Sequence, residues 1–253
     1  FLALGFFLLI KGADWFVDGA SGLARKLGIP QLVIGLTIVA MGTSLPEAAV
    51  SISAALRGNA EITIGNIVGS NILNILIILG VTALIATLKV ADSTVRYEIP
   101  FMIVVTFVLL WLGYTGGQVT RLEGIILWGL FLLYLRYLYM MAKKGKEEER
   151  EAEQLSAAKI IGLIFAGVVM IVAGSNFAVE GASNIAKALG ISQRFIGLTI
   201  VAFGTSLPEL VTSVSAARKG NADIAIGNVV GSNIFNILFI VGTTALITPV
   251  TFA

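Results

Sequence analysis

The sequence predicts an all-α polytopic membrane protein made of two inverted-topology repeats of five helices, of which eight spans are present in this chain. Three observations predict this class: the composition, the recurring apolar runs and an internal duplication. Hydrophobic residues make up 57% of the 253 residues and charged residues 13%, against roughly 45–50% and about 25% in an ordinary soluble domain. A soluble globule of this size needs more charged surface, so we expect the lipid bilayer to be its environment.

Apolar runs of spanning length recur along the chain, since about 20 residues cross a hydrocarbon core of roughly 30 Å. We place them at about residues 1–17, 31–55, 62–86, 98–114, 122–142, 159–179, 193–217 and 224–247. The stretch Lys143–Gln154 carries nine charges in twelve residues, which is typical of a solvated linker. We therefore divide the chain into a first half of five spans (1–142), a charged linker (143–158) and a second half with three of its five spans (159–253).

The two halves repeat each other. A shift of 162 positions aligns Gly12–Ile85 with Gly174–Ile247 at roughly two-thirds identity. The densest matches are GLTIVAMGTSLPE against GLTIVAFGTSLPE, and IGNIVGSNILNIL against IGNVVGSNIFNIL. Five spans precede the second copy, and an odd number makes that copy enter the membrane in the opposite direction. Repeats of this kind place a transporter's substrate where they meet.

The distribution of basic residues predicts the orientation. If the start of the chain lies outside, the inner loops collect eleven Lys and Arg residues: Arg25, Lys26, Lys89, Arg96, Lys143, Lys144, Lys146, Arg150, Lys159, Arg218 and Lys219. The outer loops then collect four: Arg57, Arg121, Lys187 and Arg194. Because cytoplasmic loops are enriched in Lys and Arg, we expect a multi-pass protein of the cell (plasma or inner) membrane with a cytoplasmic linker.

The ends of the chain also lead to an expectation. It begins at Phe1 inside an apolar run without an initiator Met, so we expect the intact N-terminus to lie upstream. The repeat offset predicts two further helices after residue 253, as counterparts of the fourth and fifth spans.

Glu47 and Glu209 lie near the middle of two equivalent spans, where an ionisable side chain costs about 2.5–3.5 kcal/mol on insertion scales. Each follows a proline, Pro46 or Pro208, and a proline inside a helix removes a backbone donor and clashes with the preceding turn. We therefore expect each helix to break just before its Glu. Unwound backbone at membrane depth is tolerated where it lines a polar site.

Further oxygen atoms accompany the two carboxylates. Residues four apart share a helix face, which groups Thr with Glu in one span and Ser with Asn in the next. The candidate side chains are Glu47, Glu209, Thr43, Thr205, Ser44, Ser206, Ser70, Ser232, Asn74 and Asn236, with the backbone carbonyls of Ala40 and Ala202. For Asn66, Asn71, Asn228 and Asn233, hydrogen bonds between helices are an equally good interpretation. Asp14 and Asp18, with counterparts Asn176 and Glu180, are interpreted as polar span ends, with a gating role as the alternative.

The donor set selects the ligand class. The chain has no Cys and no His, which excludes disulfides, thiolate or imidazole metal sites and a His-based nucleophilic enzyme. An all-oxygen site with two carboxylates suits a hard cation such as Ca²⁺ or Na⁺. The net charge of +2 is too small to indicate nucleic acid, and we expect no cofactor and no protein partner.

GTSLPE followed by GNxVGSNxxN, in two copies, resembles the alpha-repeats of the sodium/calcium exchanger branch of the cation/calcium antiporter superfamily, close to its prokaryotic members. The resemblance covers essentially the whole chain. It implies a ten-helix fold with a central diamond of four ion sites, emptied alternately to each side as the first and sixth helices slide across the core. It implies that Glu47 and Glu209 are shared carboxylate ligands and that Thr43 and Thr205 complete the calcium site.

The resemblance assigns the remaining candidates as well. It implies that Ser44, Ser70, Ser206, Ser232 and the carbonyls of Ala40 and Ala202 serve the outer sodium sites, and that Asn74 and Asn236 face the middle site. Some relatives that depend on potassium carry Asp at the position of Asn236, and proton-coupled relatives usually have a GNxxE arrangement that this chain lacks.

We therefore expect a secondary antiporter that exchanges Ca²⁺ for Na⁺ by alternating access. The alternatives are a Ca²⁺/H⁺ or K⁺-dependent antiporter and a cation channel. An intramembrane hydrolase is a weaker alternative, because the motifs contain no Ser-Lys arrangement.

Overall fold

The computed structural model describes residues 1–144, 155–192 and 196–252, and at 197 and 198 the backbone alone. The described chain is almost entirely helical, because its long apolar stretches satisfy their backbone polar groups within each segment. Its helices are α1 (Leu2–Leu27), α2 (Gln31–Thr43), α3 (Leu45–Leu56), α4 (Ile62–Ile85), α5 (Thr94–Gly116), α6 (Arg121–Lys144), α7 (Ala157–Ala188), α8 (Thr199–Thr205), α9 (Leu207–Arg218) and α10 (Ala222–Ile247).

Among the described residues, five helices are long and apolar enough to cross a membrane: α4, α5, α6, α7 and α10. Two bent pairs raise the number to seven if each pair is one span: α2 with α3, bent by 49°, and α8 with α9, bent by 48°. Helix α1 has 26 residues but carries Lys11, Asp14 and Asp18 along its middle. The eighth predicted span, which falls on α1, therefore remains a prediction.

Helices α1 and α7 pack along their lengths through glycines spaced seven residues apart. Gly5, Gly12 and Gly19 recur in α1, and Gly167, Gly174 and Gly181 recur in α7. A Cβ atom at Gly5 would lie 2.4 Å from the backbone nitrogen of Ala178, and one at Gly12 would lie 2.9 Å from that of Ile171. A side chain does not fit at these contacts, so glycine allows two antiparallel backbones to approach closely.

Helix α10 lies at the centre of the fold, and 94% of its most apolar stretch is buried. Helix α2 packs on one side of it, where a Cβ atom at Gly231 would lie 2.7 Å from the carbonyl oxygen of Leu36. Helix α6 packs on another side, where Trp128 and Phe239 approach with ring centroids 5.0 Å apart. These contacts fix α10 as the element against which other helices are positioned.

Several boundaries differ from the predicted spans. Helix α1 extends ten residues beyond position 17, and α7 continues to Ala188 instead of 179, since polar helix ends project past the apolar stretch. The all-α expectation missed a short antiparallel pair, β1 (Gln118–Val119) with β2 (Val250–Thr251). Helix α6 continues to Lys144, and linker residues 145–154 lie outside the described residues, as does Arg194.

Candidate ion-binding site

Two breaks in the helical backbone position the acidic side chains. Helix α3 begins at Leu45 and α9 at Leu207, with Pro46 and Pro208 in the first turn. Proline is accepted there because its missing N–H has no intrahelical acceptor. Glu47 and Glu209 also lie in these first turns, where the positive end of the helix dipole favours negative charge. The predicted breaks before both Glu residues are confirmed.

Wide π-helical turns occur at equivalent positions of the two halves. The segments Gly35–Val39 and Gly197–Val201 precede the breaks. The segments Asn74–Ile78 and Asn236–Val241 interrupt α4 and α10, and each begins at an Asn of the predicted site. Such turns inside α-helices are rare and occur frequently at functional sites. These π-helical turns were not predicted from the sequence.

The two carboxylates are bound to serines of the opposite half. Ser44 Oγ donates to Glu209 Oε1 at 2.8 Å, and Ser206 Oγ donates to Glu47 Oε1 at 3.5 Å. Ser70 Oγ also donates to Glu47 Oε1, at 3.2 Å. Ser44 and Ser206 each precede the Glu of their own half by three residues, so each carboxylate lies within about one helical turn of the other Glu. The breaks of the two halves therefore meet at one place.

Four buried oxygen atoms at this meeting point have no hydrogen-bond partner within the described part of the chain. They are Glu47 Oε2, Glu209 Oε2, Asn74 Oδ1 and Asn236 Oδ1. Their four side chains are between 0% and 1% exposed. Since buried polar atoms are normally paired, four unpaired acceptors beside two carboxylates indicate a place for a ligand that accepts their lone pairs.

Asn71 and Asn233 set the direction of the two central amides. Asn74 Nδ2 donates to Asn233 Oδ1 at 2.8 Å, and Asn236 Nδ2 donates to Asn71 Oδ1 at 3.0 Å. Each central amide thus uses its nitrogen in a bond to the opposite half and keeps its oxygen unpaired. From the sequence, a ligand role and a hydrogen bond between helices were equally good interpretations of Asn71 and Asn233. Their occurrence at the same offset of 162 positions was the signal for a shared role.

Asn66 and Asn228 brace the acidic turns from the neighbouring helices. Asn66 Nδ2 donates to the Glu47 carbonyl at 3.1 Å and to Ser51 Oγ at 2.9 Å. Asn228 Nδ2 makes the equivalent pair of bonds, at 3.3 Å to the Glu209 carbonyl and 2.9 Å to Ser213 Oγ. These two Asn residues hold backbone instead of facing the carboxylates, which agrees with the interhelical interpretation.

The threonines and the Ala carbonyls have different surroundings in the two halves. Thr43 Oγ1 donates to Asn228 Oδ1 at 3.0 Å, and the Ala40 carbonyl accepts from Ser232 Oγ at 3.3 Å. Thr205 Oγ1 donates to the Ala202 carbonyl at 3.1 Å, but Thr205 is half-buried and Ala202 is exposed. The structure thus joins Ala40, Thr43 and Ser232 to the centre. Thr205 also lies beside the Glu47 carboxylate but is more exposed than Thr43, and Ala202 is exposed.

The described ionisable side chains of the site are the acidic residues Glu47 and Glu209. Within residues 1–144, 155–192 and 196–252, the ion pairs join Lys219 to Asp14 and Asp18, and none reaches Glu47 or Glu209. No group of three or more Asp, Glu, His or Cys residues forms a metal cluster in that part of the chain. The candidate ligands are therefore two carboxylates supplemented by neutral amide, hydroxyl and carbonyl oxygens, which suits a hard cation.

Comparison with known proteins connects this geometry to a family. The family described as sodium/calcium exchanger protein matches residues 1–140 and 159–253. Sodium/calcium exchanger MaX1 of Methanosarcina acetivorans is 37% identical over 292 residues, covering 100% of this chain and 83% of that protein. Inner membrane protein YrbG of Escherichia coli is 39% identical over 258 residues, covering 98% and 79%. A solved structure of the sodium-calcium exchanger NCX_Mj has a TM-score of 0.88 at 35% identity, covering 100% of this chain and 83% of that chain.

Proposed function

The chain belongs to the sodium/calcium exchanger family, and from that premise we propose that it exchanges Ca²⁺ for Na⁺ across the membrane by alternating access. The resemblance identified from GTSLPE and GNxVGSNxxN is confirmed by these comparisons. Exchangers of this family are transporters and not enzymes, and their ions are cargo that they carry without a cofactor. The proposal therefore concerns ion binding and access, with no covalent chemistry.

The unpaired oxygens around Glu47 and Glu209 carry the proposal. Two buried carboxylates balance the charge of one Ca²⁺, which takes about six to eight oxygen ligands at about 2.3–2.6 Å. The Oε2 atoms and the amide oxygens of Asn74 and Asn236 are buried and free to bind it. Thr43, Thr205, Ser44, Ser206, Ser70, Ser232 and the carbonyls of Ala40 and Ala202 complete the proposed set of ligands for Ca²⁺ and Na⁺.

Competition between the two ions produces exchange. If Ca²⁺ and Na⁺ shared these carboxylates, their summed positive charge would exceed the charge of two Glu residues at short range. Each ion therefore displaces the other, and the concentration gradient of one ion drives transport of the other across the membrane. Asn236 stands where some potassium-dependent relatives carry Asp, which argues against K⁺ coupling, and the missing GNxxE arrangement supports Na⁺ over H⁺ as the coupling ion.

Reciprocal hydrogen bonds support an inverted repeat. Ser44 bonds to Glu209 as Ser206 bonds to Glu47, and a contact repeated with the halves exchanged is what a two-fold axis produces. Because five predicted spans, an odd number, precede the second copy, we place this axis in the membrane plane. This arrangement gives the site an equivalent half on each side, as alternating access requires. In this proposal the first half is residues 1–142, the linker is residues 143–158 and the second half is residues 159–253.

The orientation is part of the proposal. The excess of Lys and Arg in alternate loops supports a cytoplasmic linker and an outside start of the chain. The cell membrane is the proposed location.

Calcium flux into proteoliposomes made with the complete gene product tests the function. Sodium, proton and potassium gradients are imposed one at a time, and Glu47→Gln protein serves as the matched control. We expect saturable Ca²⁺ uptake driven by an outward Na⁺ gradient and absent from the control. Uptake driven by a proton gradient alone would identify a Ca²⁺/H⁺ antiporter, and uptake that requires K⁺ would identify a K⁺-dependent antiporter. Uptake that does not saturate and needs no counter-ion would identify a channel.

A further inference from the structure

Polar side chains fasten α1 to the end of α9, away from the ion-binding site. Lys219, which follows α9, bonds through Nζ to Asp18 Oδ1 at 2.7 Å and to the Asp14 carbonyl at 2.8 Å. Ser215 Oγ donates to Asp14 Oδ1 at 2.7 Å, and Asn221 Nδ2 donates to Ser21 Oγ at 2.9 Å. We call this group the α1 contact set; its members are Asp14, Asp18, Ser21, Ser215, Lys219 and Asn221.

The other half of the molecule contains the counterpart of every member. At the repeat offset of 162 positions these counterparts are Asn176, Glu180 and Ser183 on α7, with Ser53, Arg57 and Asn59 at the end of α3. We call them the α7 contact set. Five of the six keep the chemistry of their equivalents, and Asn176 has an amide where Asp14 has a carboxylate. Glu180 and Arg57 can form the ion pair made by Asp18 and Lys219, and Asn59 can donate to Ser183 as Asn221 donates to Ser21.

The α7 contact set is not engaged. Glu180, Arg57 and Asn59 are exposed, and within the described residues no hydrogen bond or ion pair joins the six members. Ser183 is 8% exposed and its Oγ has no partner, whereas its equivalent Ser21 is 3% exposed and accepts from Asn221. A buried unpaired hydroxyl is unfavourable, so Ser183 points to an arrangement in which Asn59 reaches it.

The two contact sets lie at opposite ends of one rigid pair of helices. Gly19, next to Asp18, packs where a Cβ atom would be 2.9 Å from the nitrogen of Ile164. Gly181, next to Glu180, packs where a Cβ atom would be 2.6 Å from the nitrogen of Leu2. Antiparallel helices joined by backbone contact move together, and a movement that brings Glu180 to Arg57 changes the position of Asp18 relative to Lys219.

We propose that the α1 and α7 contact sets engage alternately, one in each access state of the exchanger, and that this structure is the state with the α1 contact set engaged. The inference rests on the proposed exchange function. Asp18, Lys219, Glu180 and Arg57 act as positioning residues: they do not touch the ions but determine which side of the site is closed. With the proposed orientation, engagement of Lys219 closes the cytoplasmic side.

Engineered cysteines test whether the two sets exclude each other, since the chain has no cysteine of its own. One pair is Asp18→Cys with Lys219→Cys, and the other is Glu180→Cys with Arg57→Cys. Full-length protein in proteoliposomes is treated with a short, reducible thiol cross-linker. We expect the first pair to cross-link without an ion gradient and to stop Ca²⁺ flux until reduction. The second pair should cross-link faster when opposing Na⁺ and Ca²⁺ gradients drive turnover.

A variant with all four cysteines gives the decisive result. Peptide mass spectrometry should find one cross-link or the other in each molecule. Both cross-links in one molecule would overturn the proposal, as would a second pair that never reacts during turnover. Unmodified protein is assayed in parallel: if it does not exchange Ca²⁺ for Na⁺, the proposed function fails, and if it does, a negative result concerns the contact sets alone.

Removing one charge provides an independent measurement. Lys219→Gln, added to the Glu180/Arg57 cysteine pair, should raise the cross-linking rate of that pair by up to about fivefold, the effect of a partly exposed ion pair. Combining Asp18→Lys with Lys219→Asp in the same background should return the rate toward its starting value. A merely structural role for Lys219 would leave the rate unchanged, and that outcome would contradict the proposal.

Discussion

Helices α4 and α10 carry the same motif but have different surroundings. Both contain GNxVGSNxxN, and both have a π-helical turn that begins at the last Asn of the motif. The most apolar stretch of α10 is 94% buried, whereas that of α4 is 28% buried. The motif therefore specifies the inward oxygens of the site, while the neighbouring helices determine how much of each motif helix is buried.

Equivalent glycines of α10 and α4 differ in how closely neighbouring atoms pack against them. A Cβ atom at Gly227 would lie 2.9 Å from the Cα atom of Gly35, and one at Gly231 would lie 2.7 Å from the Leu36 carbonyl. At Gly65 and Gly69 of α4, the added atom would meet nothing within 4 Å among the described atoms. Thus α2 packs tightly on α10, whereas the described part of α8 makes no equivalent contact with these glycines of α4.

Substitution of the two equivalent glutamates should have the greatest effect on transport. Glu47→Gln and Glu209→Gln should each lower Na⁺-driven Ca²⁺ uptake by at least about 100-fold, because Gln keeps the shape and removes one of two charges that balance Ca²⁺. The measurement is ⁴⁵Ca²⁺ flux at matched protein density. An equal loss of Ca²⁺ uptake in both variants would mean that the two carboxylates contribute equally, although α4 and α10 differ in burial. Normal transport in either variant would remove that Glu from the ligand set.

Alanine substitutions at equivalent glycines of α10 and α4 should differ clearly in their effect on the free energy of unfolding. Gly231→Ala should lower the free energy of unfolding by about 1–3 kcal/mol, since its methyl group overlaps the α2 backbone. Gly69→Ala, its matched control, should stay within about 0.5 kcal/mol of the parent protein. Thermal unfolding in detergent, followed by tryptophan fluorescence, measures both. Equal destabilisation would mean that α4 has a packed face like that of α10.

Acid should inhibit exchange through the common carboxylates. Protons bind the oxygens of Glu47 and Glu209 that Ca²⁺ requires, so the uptake rate should fall by about tenfold as the pH falls from neutral to about 5. Raising external Ca²⁺ at low pH should restore much of the rate, because the two cations compete. A rate that stays flat over this range would mean that protons do not reach the carboxylates.

The smallest expected effect compares two threonines. Thr43→Val removes a buried hydroxyl that bonds to Asn228, so the apparent Ca²⁺ affinity should fall by about fivefold to tenfold. Thr205→Val removes a half-buried hydroxyl beside Glu47, where water can replace it, and the fall should be about twofold. Calcium dependence of uptake gives both values. The reverse order would indicate that Thr205 approaches the ion more closely during transport than it does here.

The membrane class, the duplication, the helix breaks and the acidic centre could all be predicted from the amino-acid sequence. Apolar length, a repeat offset and proline next to glutamate are local properties of the chain, so they can be identified without coordinates. The full set of predicted ligands remains a prediction, although the structure brings Glu47, Glu209, Asn74 and Asn236 together as buried side chains. The eight spans and the inverted topology likewise rest on the proposal.

Which of the chemically equivalent residues form hydrogen bonds or ion pairs depends on tertiary packing. Asn71 bonds across the halves while Asn66 braces backbone, although both are Asn residues of one motif. Asp18 bonds to Lys219, whereas Glu180 and Arg57 stay apart and leave Ser183 unpaired. The physical reason is that both copies encode the same hydrogen-bonding capacity, but the packing of α1 and α7 against their neighbours satisfies that capacity at one end and not at the other.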